Sequence, residues 1–404
     1  MTEADQQRVQ ATQKLQQGRL GAALLCAKRC LELSGAAAPV AAYALWDIQS
    51  PPTQGIELVA QWRDPTIASS ARLIEGLPQF TQWAEPFEPP PVSIWRLPRC
   101  VALAPQLLLS ANKQLMDDNI GYTNSQLCEH LPAGFVGVAA GHGHMVVALR
   151  HQKSVRVRQS VIYLPTSTNY AEWFFGCLPR LVAYLSVPGL IDLPILLHGQ
   201  VMQYHRDSLR ALGLGEERFI FHQATTRIEC DELFYASATY RHHAHYPTGL
   251  RFLRDQMARA FPVPMTEAPA RIYWARRHAH DRPLVNEADV VDLLAQYGFQ
   301  SIDPEKHPFD VQVQWAASAQ CVVGPYGANL TNLIFSGKAR QCLILATKAQ
   351  PEFARLASVF GMESVHLAVE GFRLREGRTV SQSYGFKVDL EALHWVIKNV
   401  LQFA

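Results

Sequence analysis

The stretch Cys321-Val322-Val323-Gly324-Pro325-Tyr326-Gly327-Ala328-Asn329-Leu330-Thr331-Asn332-Leu333-Ile334-Phe335 reads as a short buried strand, a glycine-punctuated turn and a helix start rich in small polar side chains. The first N–H groups of such a helix lack intrahelical partners, and the helix dipole places partial positive charge there. With Thr331 and Asn332 close by, the turn can hold an anion, commonly a nucleotide diphosphate. The alternative is a plain strand-to-helix turn whose glycines serve close packing. Spacing alone favours the plain turn.

The surroundings carry more weight. Residues 271–275 read as a strand, and 286–297 as a helix capped by Asn286 and closed at Gly298. Then follow a strand at 299–302, a helix at 311–319, the strand at 321–323, a helix at 328–335 and a strand at 342–345. This β-α-β-α-β-α-β alternation is the pattern of a doubly wound sheet. Right-handed crossovers bring the loops after 271–275 and 321–323 to one carboxyl edge, where ligands bind in open α/β sheets.

Upstream, 92–161 is dominated by short strand-like runs. Residues 172–185 read as a helix, 193–197 as a buried strand, 206–212 as a helix closed at Gly213, and 219–221 as a strand. That is again parallel α/β construction. Glu85-Pro86-Phe87-Glu88-Pro89-Pro90-Pro91 reads as a stiff extended linker. Before it, 4–33 is helical and Gln-rich and about 55–83 weakly helical. The last stretch, 389–403, is an amphipathic helix with Asp389 as its N-cap. The expected organisation is a helical accessory region at 1–85, α/β domains at 92–260 and 268–385, and a C-terminal amphipathic helix at 386–404.

A chain of 404 residues that is 48% hydrophobic and 18% charged has room for two globular domains with sizeable cores. A net charge of +2 supplies no global basic field, so nucleic acid is not an implied partner. No apolar run reaches the roughly 18–20 residues needed to span a bilayer. The N-terminus lacks a secretory apolar core, which makes the cytoplasm the expected compartment. The 8 scattered cysteines include no Cys-x-x-Cys pair and read as buried free thiols.

Several residues can carry chemistry. Arg276, with Arg277 and Arg282 behind it, follows the first strand of the last domain, where a guanidinium fork can meet phosphate bound at the 324–332 turn. A solvated basic loop is the plainer alternative. Asn286-Glu287 is a helix cap with a first-turn acid, or a pair binding a ribose or sugar hydroxyl. His242-His243-Ala244-His245 and His142-Gly143-His144 lack metal-site spacing and company, so no metal is expected; a polar loop with His245 as the functional imidazole is the preferred reading. Glu172, in Asn169-Tyr170-Ala171-Glu172-Trp173-Phe174-Phe175, is either a general base facing a domain cleft or a helix-first-turn acid beside core aromatics. The chain contains no Asp-x-Asp, no complete Gly-x-Gly-x-x-Gly and no Gly-x-Ser-x-Gly, which argues against a metal-bridged sugar-nucleotide site, a dinucleotide oxidoreductase and a nucleophile elbow.

As an ordered set these stretches resemble glycosyltransferase family 61. The matches are Asn169-Tyr170, Trp173, Leu178-Pro179-Arg180, Arg276, Arg282, Asn286-Glu287, Gly298-Phe299, Gly324, Gly327-Ala328, Leu330-Thr331-Asn332 and Phe335. They keep the family's order over about residues 95–350. The resemblance implies a GT-B-like architecture, two Rossmann-like domains facing a cleft, with the acceptor in 92–260 and the donor in 268–385. It implies inverting transfer without metal or cofactor, from a nucleotide-sugar (a UDP-linked one expected) to a glycan or glycolipid acceptor, in bacterial capsule or surface polysaccharide synthesis. Glu172 and His245 are then the catalytic candidates. Arg276, Arg282, Asn286, Glu287, Gly324, Tyr326, Gly327, Ala328, Asn329, Thr331 and Asn332 line the donor side, and Asn169, Trp173 and Arg180 the acceptor side. The N-terminal helices are expected to serve peripheral attachment to the inner membrane or to a partner enzyme.

The chain departs from the family pattern in three places. Tyr326 replaces a histidine, Glu172 replaces another, and Leu345-Ala346-Thr347-Lys348 lacks the usual acid. These departures keep a second reading open, that of a catalytically impaired scaffold that binds a nucleotide-sugar or glycan.

Overall fold

The computed structural model describes residues 2–33, 40–47, 55–72, 84–104, 107–117, 135–141, 144–149, 153–223, 225–263, 268–277, 282–347, 351–373 and 384–403. The His142-Gly143 part of the first histidine cluster lies outside them. The chain is mixed α/β and is built around two large sheets.

The C-terminal sheet has six strands, in spatial order Gln300–Ile302, Arg271–Trp274, Cys321–Pro325, Gln341–Ala346, Glu363–Ala368 and Ala71–Arg72. Every pairing in it is parallel. Apart from Ala71–Arg72, its strands are the second, first, third, fourth and fifth of this region in chain order. The order therefore reverses between Arg271–Trp274 and Cys321–Pro325, and in open α/β sheets ligands bind outside the carboxyl ends at such a reversal. Continuous apolar runs account for these strands: Cys321–Pro325 is buried throughout, as a parallel strand covered on both faces must be.

The N-terminal sheet has twelve strands. At one edge lie Phe219–His222, Ile195–His198, Val161–Pro165 and Arg227–Ala236, paired in parallel. Their chain order is third, second, first and fourth, so a second reversal lies between Val161–Pro165 and Arg227–Ala236. Beyond Arg227–Ala236 the sheet continues through the antiparallel strand Val92–Ala104. At the far edge the helices Glu3–Gln16 and Leu20–Leu33 bury Ala11, Leu15, Ala23, Ala27 and Leu31 against Val146.

Among the described residues, three strands stand in the 1–85 region expected to be helical, the first being Val40–Asp47, which lies in the N-terminal sheet between Gln114–Asp117 and His144–Leu149. Glu57–Trp62, expected as helix, is a strand paired antiparallel to Val92–Ala104, and Ala71–Arg72 extends the C-terminal sheet. Both strands take their hydrogen bonds from distant segments, a tertiary gain that local propensity does not carry. The proline-rich segment is packed as well as extended. Phe87 is buried, bridged to Ile67 through reciprocal main-chain hydrogen bonds of 3.0 Å, and the Arg355 guanidinium lies 5.3 Å from its ring centroid. At the C-terminus, Asp389 caps Leu390–Asn399, accepting from the N–H groups of Glu391 and Ala392.

One apolar core runs between the sheets. Phe174 stacks on Phe309 at 5.4 Å and meets Phe335 edge-on at 5.3 Å. The helix Pro247–Ala260 contributes Leu250, Leu253 and Met257 to the same core.

Candidate active site

The two strand reversals sit near each other, and the loops leaving them meet. On the C-terminal side, Gly324 lets the 3-10 helix Ala328–Phe335 fold back onto its strand: a Cβ there would approach Leu330 Cδ2 to 2.8 Å. Gly327 has extended backbone, yet a Cβ on it would lie 2.6 Å from Arg276 Nη1 and 2.8 Å from its Cζ. The Arg276 guanidinium therefore rests on the Gly327 backbone, and its Nη1 donates to the Tyr326 carbonyl at 3.0 Å. That contact places a fixed cation at the start of a helix whose own dipole also favours anions.

Glu287 explains how the arginine is held. Its Oε1 accepts from the Arg276 main-chain N–H at 2.7 Å and from the Tyr273 hydroxyl at 2.9 Å, and the residue is buried. Burial, and next the adjacent Glu287 carboxylate, push the Tyr273 phenol well above its ordinary pKa, so it stays a neutral donor. Glu287 is thus a brace beneath the turn, not a sugar ligand at its surface. Asn286 is corrected in the same way. Its side chain makes no cap; it exchanges hydrogen bonds with the Val388 main chain, donating at 2.9 Å and accepting at 3.1 Å.

Asn329 Nδ2 donates to the Trp274 carbonyl at 2.8 Å and so ties together the ends of the two strands that flank the reversal. Its Oδ1 and the Thr331 hydroxyl are buried without a hydrogen-bond partner among the described residues. Asn332, fully buried, is a strut. Its amide donates to Gln312 Oε1 at 3.1 Å and its oxygen accepts from the Tyr170 hydroxyl at 2.7 Å. Arg282 has left-handed backbone (φ 51°) and sets its guanidinium 5.8 Å from the Tyr326 ring centroid. Ala328 opens the helix, and Arg276, Arg282, Tyr326, Gly327 and Ala328 come together around the turn.

On the N-terminal side, Asn169 caps the helical turn Tyr170–Glu172, its Oδ1 accepting from Ala171 N at 2.9 Å and Glu172 N at 3.2 Å. Glu172 is half-buried and accepts from Ser167 Oγ at 2.5 Å. Trp173 and Arg180, expected on the acceptor side, are fully buried. The Trp173 indole donates to Ser208 Oγ at 3.0 Å. Arg180 donates to the carbonyls of Gly176 at 2.5 Å and Ala236 at 2.8 Å and lies 5.1 Å from the Tyr235 ring centroid. Both residues position the turn from beneath and offer no surface to an acceptor.

His245 is corrected too. It is fully buried among Phe175 and Tyr240, its Nε2 is 2.8 Å from the Glu352 carbonyl, and burial lowers its pKa to about 4. A neutral imidazole sealed in this way is a structural group. In the same hairpin His242 is exposed and His243 half-buried, with His243 Nδ1 3.6 Å from Glu352 Oε2. Glu352 Oε2 also accepts from the Tyr240 hydroxyl at 2.6 Å. Tyr240 and Glu352 were missed by the sequence reading, which held Tyr170 only as part of a family match and His243 only as part of the histidine cluster. Glu352 carried only a weak local signal, an acid after Pro351 at a helix start, and its partners Tyr240 and His243 lie more than a hundred residues upstream.

Residues 170–344 match the family model described as Glycosyltransferase 61, a segment running from Tyr170 through the glycine turn to the following strand. That segment is a glycosyltransferase domain, and it makes the protein a glycosyltransferase. A comparison with curated proteins finds no match. Among the described residues, no group of three or more His, Cys, Asp and Glu is arranged to hold a metal ion, and no helix is long and apolar enough to cross a membrane.

Proposed function

We propose that the protein is an inverting, metal-independent transferase that moves a sugar from a nucleotide-sugar, expected to be UDP-linked, to a glycan or glycolipid acceptor. Capsule or surface polysaccharide is the product class in view. The observation that carries this reading is the Arg276 guanidinium seated on Gly327 at the switch point of the C-terminal sheet. The geometry fits a leaving diphosphate held by Arg276, Arg282 and the N–H groups at Ala328, which stabilise the charge that develops as the sugar departs. Two strand reversals, whose following loops are joined by the Tyr170–Asn332 hydrogen bond, support a GT-B-like division of labour between donor and acceptor sides.

Glu172 is the proposed general base. It stands at the N-terminal edge, half-buried, and Ser167 holds its carboxylate in one orientation. In the proposed reaction it takes the proton of the acceptor hydroxyl as that oxygen attacks the anomeric carbon. The bond to the diphosphate breaks on the opposite face, with inversion. Thermal-shift screening against UDP-, GDP- and CMP-sugars, followed by transfer and hydrolysis assays on the stabilising donor, tests the proposal. Stabilisation with turnover is expected. Stabilisation without turnover, with or without acceptor, would leave only a binding scaffold.

A further inference from the structure

Tyr326 divides the surroundings of the turn into two chemically different sides. Its carbonyl faces Arg276, the side where an anion is favoured. Its hydroxyl donates to Glu352, the carboxylate that also accepts from Tyr240 and stands beside His243. The ring is held between the edge of Phe353, at 5.1 Å, and the Arg282 guanidinium. Burial alone would raise the Glu352 pKa, but hydrogen bonds from His243, Tyr240 and Tyr326 outweigh it and keep the carboxyl below its ordinary value. The side chain is nonetheless 20% exposed, so ligand groups can reach it.

The direction of the Tyr326 hydrogen bond has a consequence for any ligand. A phenol carries one proton, and here it is given to Glu352, so toward a ligand the Tyr326 oxygen can only accept. Ionised phosphate oxygens have no proton to offer and are repelled by the neighbouring carboxylate. Sugar hydroxyls donate readily, to the phenol oxygen and to the remaining lone pairs of the carboxylate.

Resting on the donor-site reading above, we propose that Tyr326 and Glu352 form the subsite for the transferred sugar, recognising its hydroxyls, while Arg276 and the turn hold the diphosphate. Tyr240 and His243 act through Glu352. They come from the hairpin that follows the N-terminal sheet, so the sugar subsite is completed only where the two halves meet.

The test measures affinities of the full chain for UDP, GDP and the corresponding sugars (UDP-glucose, UDP-N-acetylglucosamine, GDP-mannose) by calorimetry. The readout is the ratio of free-diphosphate to sugar-nucleotide Kd. Tyr326→Phe and Glu352→Gln are each expected to lower that ratio about tenfold, with the free diphosphate held within twofold or bound more tightly by Glu352→Gln. The double variant should fall little further, because both changes remove one linked acceptor pair. A parallel loss for diphosphate and sugar-nucleotide, or an unchanged ratio in a folded Tyr326→Phe protein, would overturn the sugar subsite and leave the phosphate site standing. Failure of the wild-type chain to bind any of these nucleotides would overturn both.

Discussion

The two carboxyl edges that meet at the candidate site are built by different means. The C-terminal edge is made from the chain's own backbone: a glycine turn, a helix start and one arginine laid on Gly327, all within sixty residues. The N-terminal edge is made from side chains buried beneath it, with Trp173, Arg180 and His245 locking the loops while Asn169 is exposed and Glu172 and His243 are half-buried above them. Rigidity at the first edge comes from close backbone approach, and at the second from packing. Residue types that look like ligands in a list separate, in three dimensions, into a thin reactive surface and the braces under it.

The largest effect that would sharpen this contrast belongs to Glu172. Glu172→Gln should reduce turnover by about 10²- to 10⁴-fold, the usual worth of a general base, with nucleotide affinity intact. Turnover that stays unchanged would remove Glu172 from the chemistry. Trp173→Ala should cost roughly 3–5 kcal/mol in denaturant unfolding, as large aromatic truncations in cores do. A folded variant with near-normal stability and lost acceptor affinity would return Trp173 to the surface role that burial denies it.

The buried histidines give a pH signature. Burial lowers His198, His205 and His245 to about 4, below their ordinary value of 6.5. Unfolding frees them to bind protons, so their contribution is fully present above about pH 6.5 and is lost as pH falls toward 4. Each is worth roughly 3 kcal/mol at the full extent of that fall. Thermal midpoints measured from pH 7.5 to 4.5 should drop steadily, and His205→Gln should flatten the curve. A midpoint independent of pH over this range would contradict their burial. The smallest effect concerns the strut between the edges. A Tyr170→Phe and Asn332→Ala double-mutant cycle in unfolding should return a coupling of about 0.5–1.5 kcal/mol, and a zero coupling would mean that the halves are not tied there.

The sequence was most readable where structure is local. The alternation of apolar runs and helix stops at Gly213 and Gly298 foretold the parallel strands, and both glycines take the left-handed conformation that stops a helix. The glycine turn and Arg276 were legible because close approach and a strand-end cation both leave marks within a few residues. Non-local contacts left none. Asn286 reads as a cap, yet its side chain is claimed by Val388, 102 residues away. Glu57–Trp62 reads as helix until Val92–Ala104 supplies its hydrogen bonds. Glu352 is an ordinary first-turn acid until Tyr240, His243 and Tyr326 converge on it. Residue types were thus better predictors of chemistry than of exposure.

The claim on which the rest depends is that Arg276 marks the donor phosphates. Calorimetric titration of the folded Arg276→Ala variant with the nucleotide that best stabilises the wild type tests it directly. Loss of charge-assisted hydrogen bonds worth about 1.5–3 kcal/mol predicts an affinity about 10- to 100-fold weaker, for diphosphate and sugar-nucleotide alike. An affinity within twofold of the wild type would contradict the account and place the donor elsewhere.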